Sequence, residues 1–261
     1  MSLKICVLGS GSSGNCTFVA SPTTAVLVDV GLSALRIEKG LRTLSCDPDR
    51  VSVLITHAHH DHVSGLATFY KRHPQVKVYC HESCYASLME KIPPTMQVNA
   101  VNGDFYIGDI TVAPFRVSHD IPCVGYGLLS GGSKITVATD VGKISSEVLQ
   151  NMTDSDLVVL ESNHDEALVR RNPRYSDALK ARILSNGGHL SNSACADCVA
   201  KMAECGVKQV VLAHLSRENN YPELAFETCK QRLLEGNLEE GKDIRLEVAC
   251  HDKMSSLFEI N

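Results

Sequence analysis

Four of the eleven histidines of this chain lie in one short window, directly after the apolar run V-S-V-L-I. The window reads T-H-A-H-H-D-H from Thr56 to His62. Imidazole and carboxylate groups are ligands that suit zinc, iron and manganese. A turn that begins at the end of a strand can direct His57 and His59 one way and Asp61 and His62 another. The window therefore predicts two neighbouring metal ions, and a solvated histidine-rich loop is the alternative.

Three further candidate ligands follow strand-like runs elsewhere in the chain. His119 follows F-R-V-S, Asp140 follows K-I-T-V-A-T and His214 follows Q-V-V-L-A. Because strand ends in an α/β sheet meet at one edge, we expect these side chains to join the histidine window. One four-coordinate ion cannot use so many ligands. The predicted ligands of the two metals are His57, His59, Asp61, His62, His119, Asp140 and His214.

This ligand set predicts hydrolytic chemistry. Two divalent ions about 3.5–4 Å apart can share a bridging hydroxide and neutralise a phosphoryl oxygen during in-line attack. We expect Asp61 to orient that hydroxide in addition to binding metal. His189, in G-G-H-L-S-N, is the predicted proton donor or phosphate contact, because the glycines before it permit close backbone approach. A helix-capping loop with an incidental histidine is the alternative for His189.

Short apolar runs alternate with helical patterns along the whole chain, which predicts one α/β domain over residues 1–261, with two sheets packed together and helices outside. The predicted strands are 3–8, 16–20, 25–29, 51–56, 76–80, 97–101, 110–117, 124–129, 135–139, 156–160, 208–213, 244–249 and 256–260. The predicted helices are 33–44, 64–72, 82–91, 144–151, 165–171, 175–184, 193–205 and 222–235.

Composition narrows the class of protein. Hydrophobic residues make up 44% of the chain and charged residues 21%, which is typical of a globular protein and not of a disordered or fibrous one. No stretch approaches the roughly 18 apolar residues of a membrane helix, and the N-terminus lacks the pattern of a secretory signal, so we expect a cytoplasmic protein. The eleven cysteines are odd in number and irregularly spaced, which predicts reduced thiols. Cys195 and Cys198 lie on one apolar helix stripe, which favours core packing over redox or metal chemistry.

Two polar segments are candidates for binding substrate. The loop from Gly9 to Asn15 contains Ser12 and Ser13 and resembles a phosphate cradle, although a tight connection between two strands explains it equally well. The loop lacks the lysine of a nucleotide-binding P-loop. His164, in E-S-N-H-D, either joins the site or makes structural hydrogen bonds.

The H-x-H-x-D-H window resembles the signature of the metallo-β-lactamase superfamily. That resemblance implies an α/β fold of the αββα type, a sandwich of two mixed sheets with helices outside and the site at one edge. It also implies that His57, His59 and His119 hold one metal. Asp61, His62 and His214 are then implied as ligands of the other, with Asp140 shared. His60, the extra residue inside the motif, is expected to point away from the metals.

A narrower resemblance covers nearly the whole chain. The motifs that carry it are LGSGSSGN, VDVG, THAHHDHVSG, VSHD, TDVG, ESNHD, GHLSN and LAHLSRENN. In this order they resemble the YycJ/VicX (WalJ) family. The resemblance implies a metal-dependent phosphodiester hydrolase, a 5′-to-3′ DNA exonuclease supported by manganese, with zinc or iron as the other candidate metals.

The expected partner is therefore nucleic acid, with DNA favoured over RNA. The segment from Ala167 to Arg182 carries five basic residues and one acidic residue, although the whole chain has a net charge of −5. A solvated helix face is the alternative for this segment. With the resemblance, the predicted substrate-binding residues are Ser12, Ser13, Asn15, His164, Arg170, Arg171, Arg174, His189, Ser191 and Asn192.

Two other functions stay open at this point. The acidic net charge favours a small-molecule metallo-hydrolase of the lactamase, thioesterase or glyoxalase type. A non-catalytic metal-binding partner of a signalling complex is the other alternative, and the complete ligand set argues against it.

Overall fold

The computed structural model describes residues 2–260. Its strands are β1 (Leu3–Gly9), β2 (Cys16–Ala20), β3 (Ala25–Val28), β4 (Val51–Ile55), β5 (Lys77–His81), β6 (Val98–Val101), β7 (Phe105–Ile107), β8 (Ile110–Val117), β9 (Cys123–Ser130), β10 (Ser133–Ala138), β11 (Leu157–Glu161), β12 (Gln209–Ala213), β13 (Arg245–Val248) and β14 (Phe258–Ile260). Its helices are α1 (Ala34–Thr43), α2 (His60–Val63), α3 (Leu66–Arg72), α4 (Glu82–Met89), α5 (Ser146–Thr153), α6 (Glu166–Arg171), α7 (Asp177–Ile183), α8 (Asn192–Glu204) and α9 (Pro222–Glu235), and a short 3-10 helix covers Pro48–Arg50.

The strands form two seven-stranded sheets. The first has the order β14-β1-β2-β3-β4-β5-β6, and the second has the order β13-β12-β11-β10-β9-β8-β7. Both sheets are mixed: β3 to β6 run parallel beside the antiparallel β1 and β2, and β10 to β13 run parallel beside the antiparallel β7 to β9. The predicted sandwich of two mixed sheets is confirmed.

Alternating side chains of the strands divide the core into layers. In β1, Leu3 and Ile5 belong to the cluster between the two sheets, whereas Cys6 and Leu8 belong to the cluster under the helices. This two-residue period is what a strand buried on both faces produces. Helices α1 and α3 cover the first sheet, and α5, α8 and α9 cover the second. The layer order is therefore helices, sheet, sheet, helices.

Besides the 3-10 helix at Pro48–Arg50, two short elements were not predicted. Strand β7 has only three residues, F-Y-I, and is defined by its pairing with β8. Helix α2 has four residues within the histidine window. Neither is long enough to show a period in sequence, because helix periodicity needs more than one turn.

Cysteine chemistry agrees with the sequence. All eleven cysteines lie within the described residues and are free. Cys195 and Cys198 are both buried among the core residues of α8, so the predicted core packing is confirmed. No helix in the part of the chain that the structure describes is long and apolar enough to cross a membrane.

Candidate metal centre

The histidine window forms the turn from β4 into α2. His57 and His59 precede the helix, and Asp61 and His62 lie in its single turn. The Asp61 carbonyl accepts a hydrogen bond from the Asn15 backbone N–H at 2.8 Å. The backbone of Gly31 packs so closely against this turn that a Cβ there would overlap the Asp61 carbonyl oxygen. Backbone contacts from β1–β2 and β3 therefore fix the turn.

The other three predicted ligands follow strands of the second sheet, as the sequence indicated. His119 follows β8, Asp140 follows β10 and His214 follows β12. Asp140 and His214 have positive φ values of 58° and 56°. This left-handed backbone is uncommon for residues other than glycine, and such strain collects at functional sites.

The ligand atoms converge in two groups of three. In the first group, Nδ1 of His59 lies 3.1 Å from Nε2 of His57 and 3.1 Å from Nε2 of His119. In the second group, Oδ2 of Asp61 lies 3.1 Å from Nε2 of His214 and 3.4 Å from Nε2 of His62. The structure thus brings together the two triplets that the resemblance implied.

Asp140 lies between the two groups. Its Oδ2 is 3.0 Å from Nε2 of His62 in the second group, and its Oδ1 is 3.8 Å from Nε2 of His119 in the first. Its Oδ2 is also buried without a hydrogen bond among the described residues. A buried carboxylate oxygen without a proton donor is costly, and a cation removes that cost.

The second nitrogen of each buried imidazole already has a partner. His62 Nδ1 lies 2.7 Å from Asp29, His214 Nδ1 lies 2.8 Å from Glu161, and His119 Nδ1 lies 3.1 Å from the Gly188 carbonyl oxygen. These acceptors fix the Nδ1–H tautomers, which directs the Nε2 lone pairs inward. The same arrangement orients histidine ligands in metal proteins.

His57 is held indirectly through Thr56. The Thr56 hydroxyl donates to the Asp29 carboxylate, and its oxygen lies 3.0 Å from His57 Nδ1. Apart from the Asn15 amide, which faces Asp61 and His62, the inward-facing atoms are imidazole nitrogens and carboxylate oxygens, and positive charge between them would stabilise the arrangement. The residues present fit divalent metal ions.

The charges of the site agree with this fit. Burial lowers the pKa of His62, but Asp140 and Asp29 outweigh burial and raise it well above its usual value. In the same way, Asp140, Asp61 and Glu161 raise the pKa of His214 against the effect of burial. The carboxylates therefore attract positive charge to the point where the ligands converge.

Two buried carboxylates beside the candidate ligands, Asp29 and Glu161, were not among the predicted site residues. Burial raises the pKa of Glu161, but His189 and His214 outweigh burial and hold it at about 2. Oxygen Oε2 of Glu161 accepts hydrogen bonds from the backbone N–H groups of Val141 and Leu190. Both acids stand at strand ends, Asp29 directly after β3 and Glu161 as the last residue of β11. Position at a strand end, which identified the predicted ligands, would have identified these two carboxylates as well.

A cavity of about 450 Å³ opens onto these ligands. His189 lines it, with Nδ1 2.8 Å from Glu161 Oε1 and 3.6 Å from Asp140 Oδ1. Burial lowers the pKa of His189, and Glu161 raises it by more, so the net shift is upward. Ser12 and Arg182 also line the cavity. His60 is exposed at its rim and belongs to neither ligand triplet.

Several predicted substrate residues are placed inside the protein. Asn15 is buried, and its Nδ2 lies 3.2 Å from Asp61 Oδ2 and 3.1 Å from His62 Nε2, so this amide positions the ligand turn. His164 is buried with 1% of its surface exposed. Ser191 caps the N-terminus of α8. Asn192 is buried and accepts a hydrogen bond from the Ser162 hydroxyl. The hydrogen bonds of Asn15, Ser191 and Asn192 support structural roles for these three side chains, and contact of the four residues with substrate stays a prediction.

The basic segment lies on α6, on α7 and between them. Arg170 pairs with Glu166 at 3.3 Å. Arg174 pairs with Glu218 at 2.7 Å, and Arg171 and Arg174 line a shallow recess outside the metal cavity. Arg182 was not among the predicted site residues, yet it lines that cavity and lies 3.5 Å from Asp120. Ser13 is exposed in a different recess, beside Arg36.

Comparisons with known proteins agree with this geometry. Residues 24–215 match the family described as "Beta-lactamase superfamily domain". In an alignment 266 positions long, the chain is 31% identical to "Exodeoxyribonuclease WalJ" of Streptococcus pneumoniae, with 98% of each protein covered. It is 34% identical over 241 residues to "Exodeoxyribonuclease YycJ" of Bacillus anthracis, with 90% of each covered. The metallo-beta-lactamase fold protein YhfI from Bacillus subtilis superposes with a TM-score of 0.73 at 16% identity, covering 99% of this chain and 100% of that one, which shows a shared fold.

Proposed function

Because the chain belongs to the Beta-lactamase superfamily domain family, and within it to the family of the exodeoxyribonucleases WalJ and YycJ, we propose that it degrades DNA from the 5′ end. The family makes the chain a metal-dependent hydrolase. DNA as substrate and the 5′-to-3′ direction are our proposal, and the cytoplasm is the proposed location. The observation that carries the proposal is the complete pair of ligand triplets joined by Asp140.

We assign each metal position to named side chains. His57, His59 and His119 would hold one ion, and Asp61, His62 and His214 would hold the second, with Asp140 shared. Two such ions supply Lewis acidity, which lowers the pKa of water and neutralises charge on a phosphoryl oxygen. Manganese is proposed as the working metal. Zinc and iron also suit this mixture of imidazole and carboxylate ligands.

His189 is the proposed proton donor to the leaving oxygen. Its Nδ1 is engaged by Glu161, and its Nε2 has no hydrogen bond among the described residues of a cavity that it lines. Glu161 therefore fixes the tautomer and the ring orientation, and Nε2 can reach substrate. Asp61 is proposed to orient the attacking water in addition to binding metal. Ser12 and Arg182 are proposed to contact the phosphate, since both line the same cavity.

The remaining basic residues are proposed to contact DNA beyond the cavity. Arg170 and Arg174 have 65% and 75% of their side-chain surface exposed, so their pairs with glutamates are weak and a phosphate can replace them. Arg171 and the exposed Ser13 complete this proposed outer surface. Neutralising several phosphates would compensate for the acidic charge of the whole chain.

A nuclease assay with defined ends tests the proposal. Purified protein is freed of metal with a chelator and then offered Mn²⁺, Zn²⁺ or no metal. Substrates are single-stranded and duplex DNA labelled at either end, RNA, and bis(p-nitrophenyl) phosphate. We expect immediate release of a 5′ label with Mn²⁺, gradual shortening of 3′-labelled DNA, and no reaction without metal. Hydrolysis of the small phosphodiester alone, or cleavage at internal positions only, would contradict an exonuclease.

The outer basic surface has its own test. Replacing Arg170, Arg171 and Arg174 together by glutamine should weaken DNA processing more than hydrolysis of the small phosphodiester. It should also flatten the salt dependence by about 0.7–0.9 units of slope for each lost contact. Lys242→Gln is the matched control, since Lys242 is equally exposed in the acidic turn before β13. An unchanged salt slope in the triple variant would remove this surface from the proposal.

A further inference from the structure

A second cavity, of about 400 Å³, adjoins the metal centre beyond the loop that follows His214. Ser216 lines both this cavity and the metal cavity. On another side, the His251 ring packs on Gly11, where a Cβ would overlap it. Gly11 is followed directly by Ser12, which lines the metal cavity. The two cavities are therefore neighbours.

Two buried asparagines hold the loop between the cavities against the protein interior. The Asn219 side-chain oxygen accepts a hydrogen bond from Asn172 at 2.8 Å. Asn220 donates from Nδ2 to the carbonyl oxygens of Ser162 and Asn163 at 2.8 and 3.0 Å. These bonds hold the H-L-S-R-E-N-N-Y segment in one conformation. A loop fixed in this way can present side chains without a large ordering cost on binding.

The side chains that this loop presents are Arg217 and Tyr221. Both line the second cavity. The Arg217 side chain is 52% exposed, and the whole Tyr221 residue is 51% exposed. The buried Leu215 and Ala249 contribute apolar wall beside the tyrosine. Lys253 adds a second cation to the lining. An occupant that satisfies this lining needs a flat apolar face and a negative charge.

Asp252 is the acidic residue of the lining, and its carboxylate competes with an anionic ligand for Arg217. It lies 3.4 Å from Arg217, and 83% of its side-chain surface is exposed. An exposed pair of this kind contributes little to stability. A phosphate can therefore take the place of Asp252 at Arg217, while Lys253 offers a further charge. The cavity thus favours an anionic ligand over a neutral one.

We propose that this second cavity binds a nucleotide of the DNA strand next to the phosphodiester that is cut. The base packs on the Tyr221 ring, and the phosphate on its outer side meets Arg217 and Lys253. This inference rests on the proposed nuclease function. Aromatic platforms bind all four bases, because every base has a π-face. Such a subsite therefore holds successive nucleotides without regard to sequence.

The first test uses the wild-type enzyme and DNA in which single nucleotides near the 5′ end lack their base. Loss of a base that stacks on an aromatic ring should raise KM by about 5- to 150-fold. We expect this effect at one position and a small effect at its neighbours. If no position responds, the subsite does not exist. If the wild type cuts no DNA at all, the proposed function fails first, so the two failures are distinguishable.

The second test assigns the effect to Tyr221. Tyr221→Ala should raise KM on normal DNA by the factor that removal of the base causes in the wild type. The same variant should show no further increase on the abasic DNA, because the stacking partner is already lost. Tyr221→Phe keeps the ring and should behave as the wild type. Equal additional losses on both DNAs, or equal damage in the alanine and phenylalanine variants, would overturn the stacking role.

Two substitutions of charged residues at the rim of the second cavity should change the KM for DNA in opposite directions. Arg217→Gln should raise KM for DNA and flatten its salt dependence, whereas Asp252→Asn should lower KM, because it removes the competing carboxylate. Both residues are exposed, so thermal melting should be unchanged in each variant. A change of KM in the same direction in both variants would show that this rim does not meet a phosphate.

Discussion

The two halves of the metal centre are built by different means. The turn after β4 supplies His57, His59, Asp61 and His62 within six residues. The other half comes from the ends of β8, β10 and β12, spread from residue 119 to residue 214. The compact half is held by backbone contacts to Asn15 and Gly31 and by side-chain hydrogen bonds to Asp29, whereas the dispersed half is held by hydrogen bonds to Glu161 and to the Gly188 carbonyl oxygen. Both halves should therefore be sensitive to the loss of a buried carboxylate, and the turn of the compact half also to an added atom at Gly31.

The largest effect is expected where the two halves meet. Asp140→Asn removes the shared carboxylate and should lower DNA hydrolysis by about 10⁴-fold or more, since bound metals supply several kcal/mol to such reactions. Elemental analysis after reconstitution should also find at least one metal lost. Asp154→Asn is the control, because Asp154 is an exposed carboxylate that pairs with Lys134 and does not line the metal cavity. Two tightly held metals in Asp140→Asn would contradict the shared position.

His189 separates chemistry from metal binding within the dispersed half. It shares Glu161 with His214 but is not assigned as a ligand. His189→Ala should therefore keep both metals while kcat falls by about 10²–10⁴-fold, the usual worth of general acid–base catalysis. His60→Ala, at the exposed rim of the cavity, should have little effect on either quantity. Loss of a metal from His189→Ala would move His189 into the ligand set.

The two missed carboxylates allow a direct comparison of the halves. Asp29 contacts His62 and, through Thr56, also orients His57, so it reaches one ligand of each triplet. Glu161 contacts His214, which belongs to one triplet. Partners of this kind are worth about 10–100-fold in metal affinity.

Calorimetric titration of metal-free protein with Zn²⁺ should separate the two cases. Asp29→Asn is expected to weaken both binding steps, and Glu161→Gln one of them. Circular dichroism controls for folding, since the Glu161 carboxylate also accepts two backbone hydrogen bonds. Two equally weakened steps in Glu161→Gln, or a single weakened step in Asp29→Asn, would break the comparison.

The smallest effect concerns close packing around the turn. Gly31→Ala places a methyl group against the Asp61 carbonyl oxygen, and such overpacking costs about 1–3 kcal/mol in the free energy of unfolding. Gly187→Ala is the control at an open position, because the nearest atom to a new Cβ there is 3.8 Å away, at His119. It should cost less than about 0.5 kcal/mol. Urea denaturation of both variants measures the difference, and similar losses would contradict the close contact at Gly31.

Strands and metal ligands could be predicted because their signals are local. The apolar run of β1 and the apolar run before His57 each lie within one segment of chain, so no distant contact is needed to recognise them. The polar residues of G-H-L-S-N were harder. Ser191 caps α8 and Asn192 bonds to buried neighbours, yet in sequence they cannot be distinguished from residues that face substrate. Their role depends on which side of the chain becomes buried.

The sequence by itself determined the alternation of strands and helices, the four candidate ligands of the turn and the strand-end positions of His119, Asp140 and His214. Tertiary structure alone decided which groups hold those ligands in place. The parallel register of β11 and β12 sets Glu161 opposite Ala213, and so beside His214. The register of β3 and β4 sets Val28 opposite Leu54, which places Asp29 at Thr56 and His62. Register is a property of two strands together, because it depends on how side chains far apart in sequence pack across the sheet.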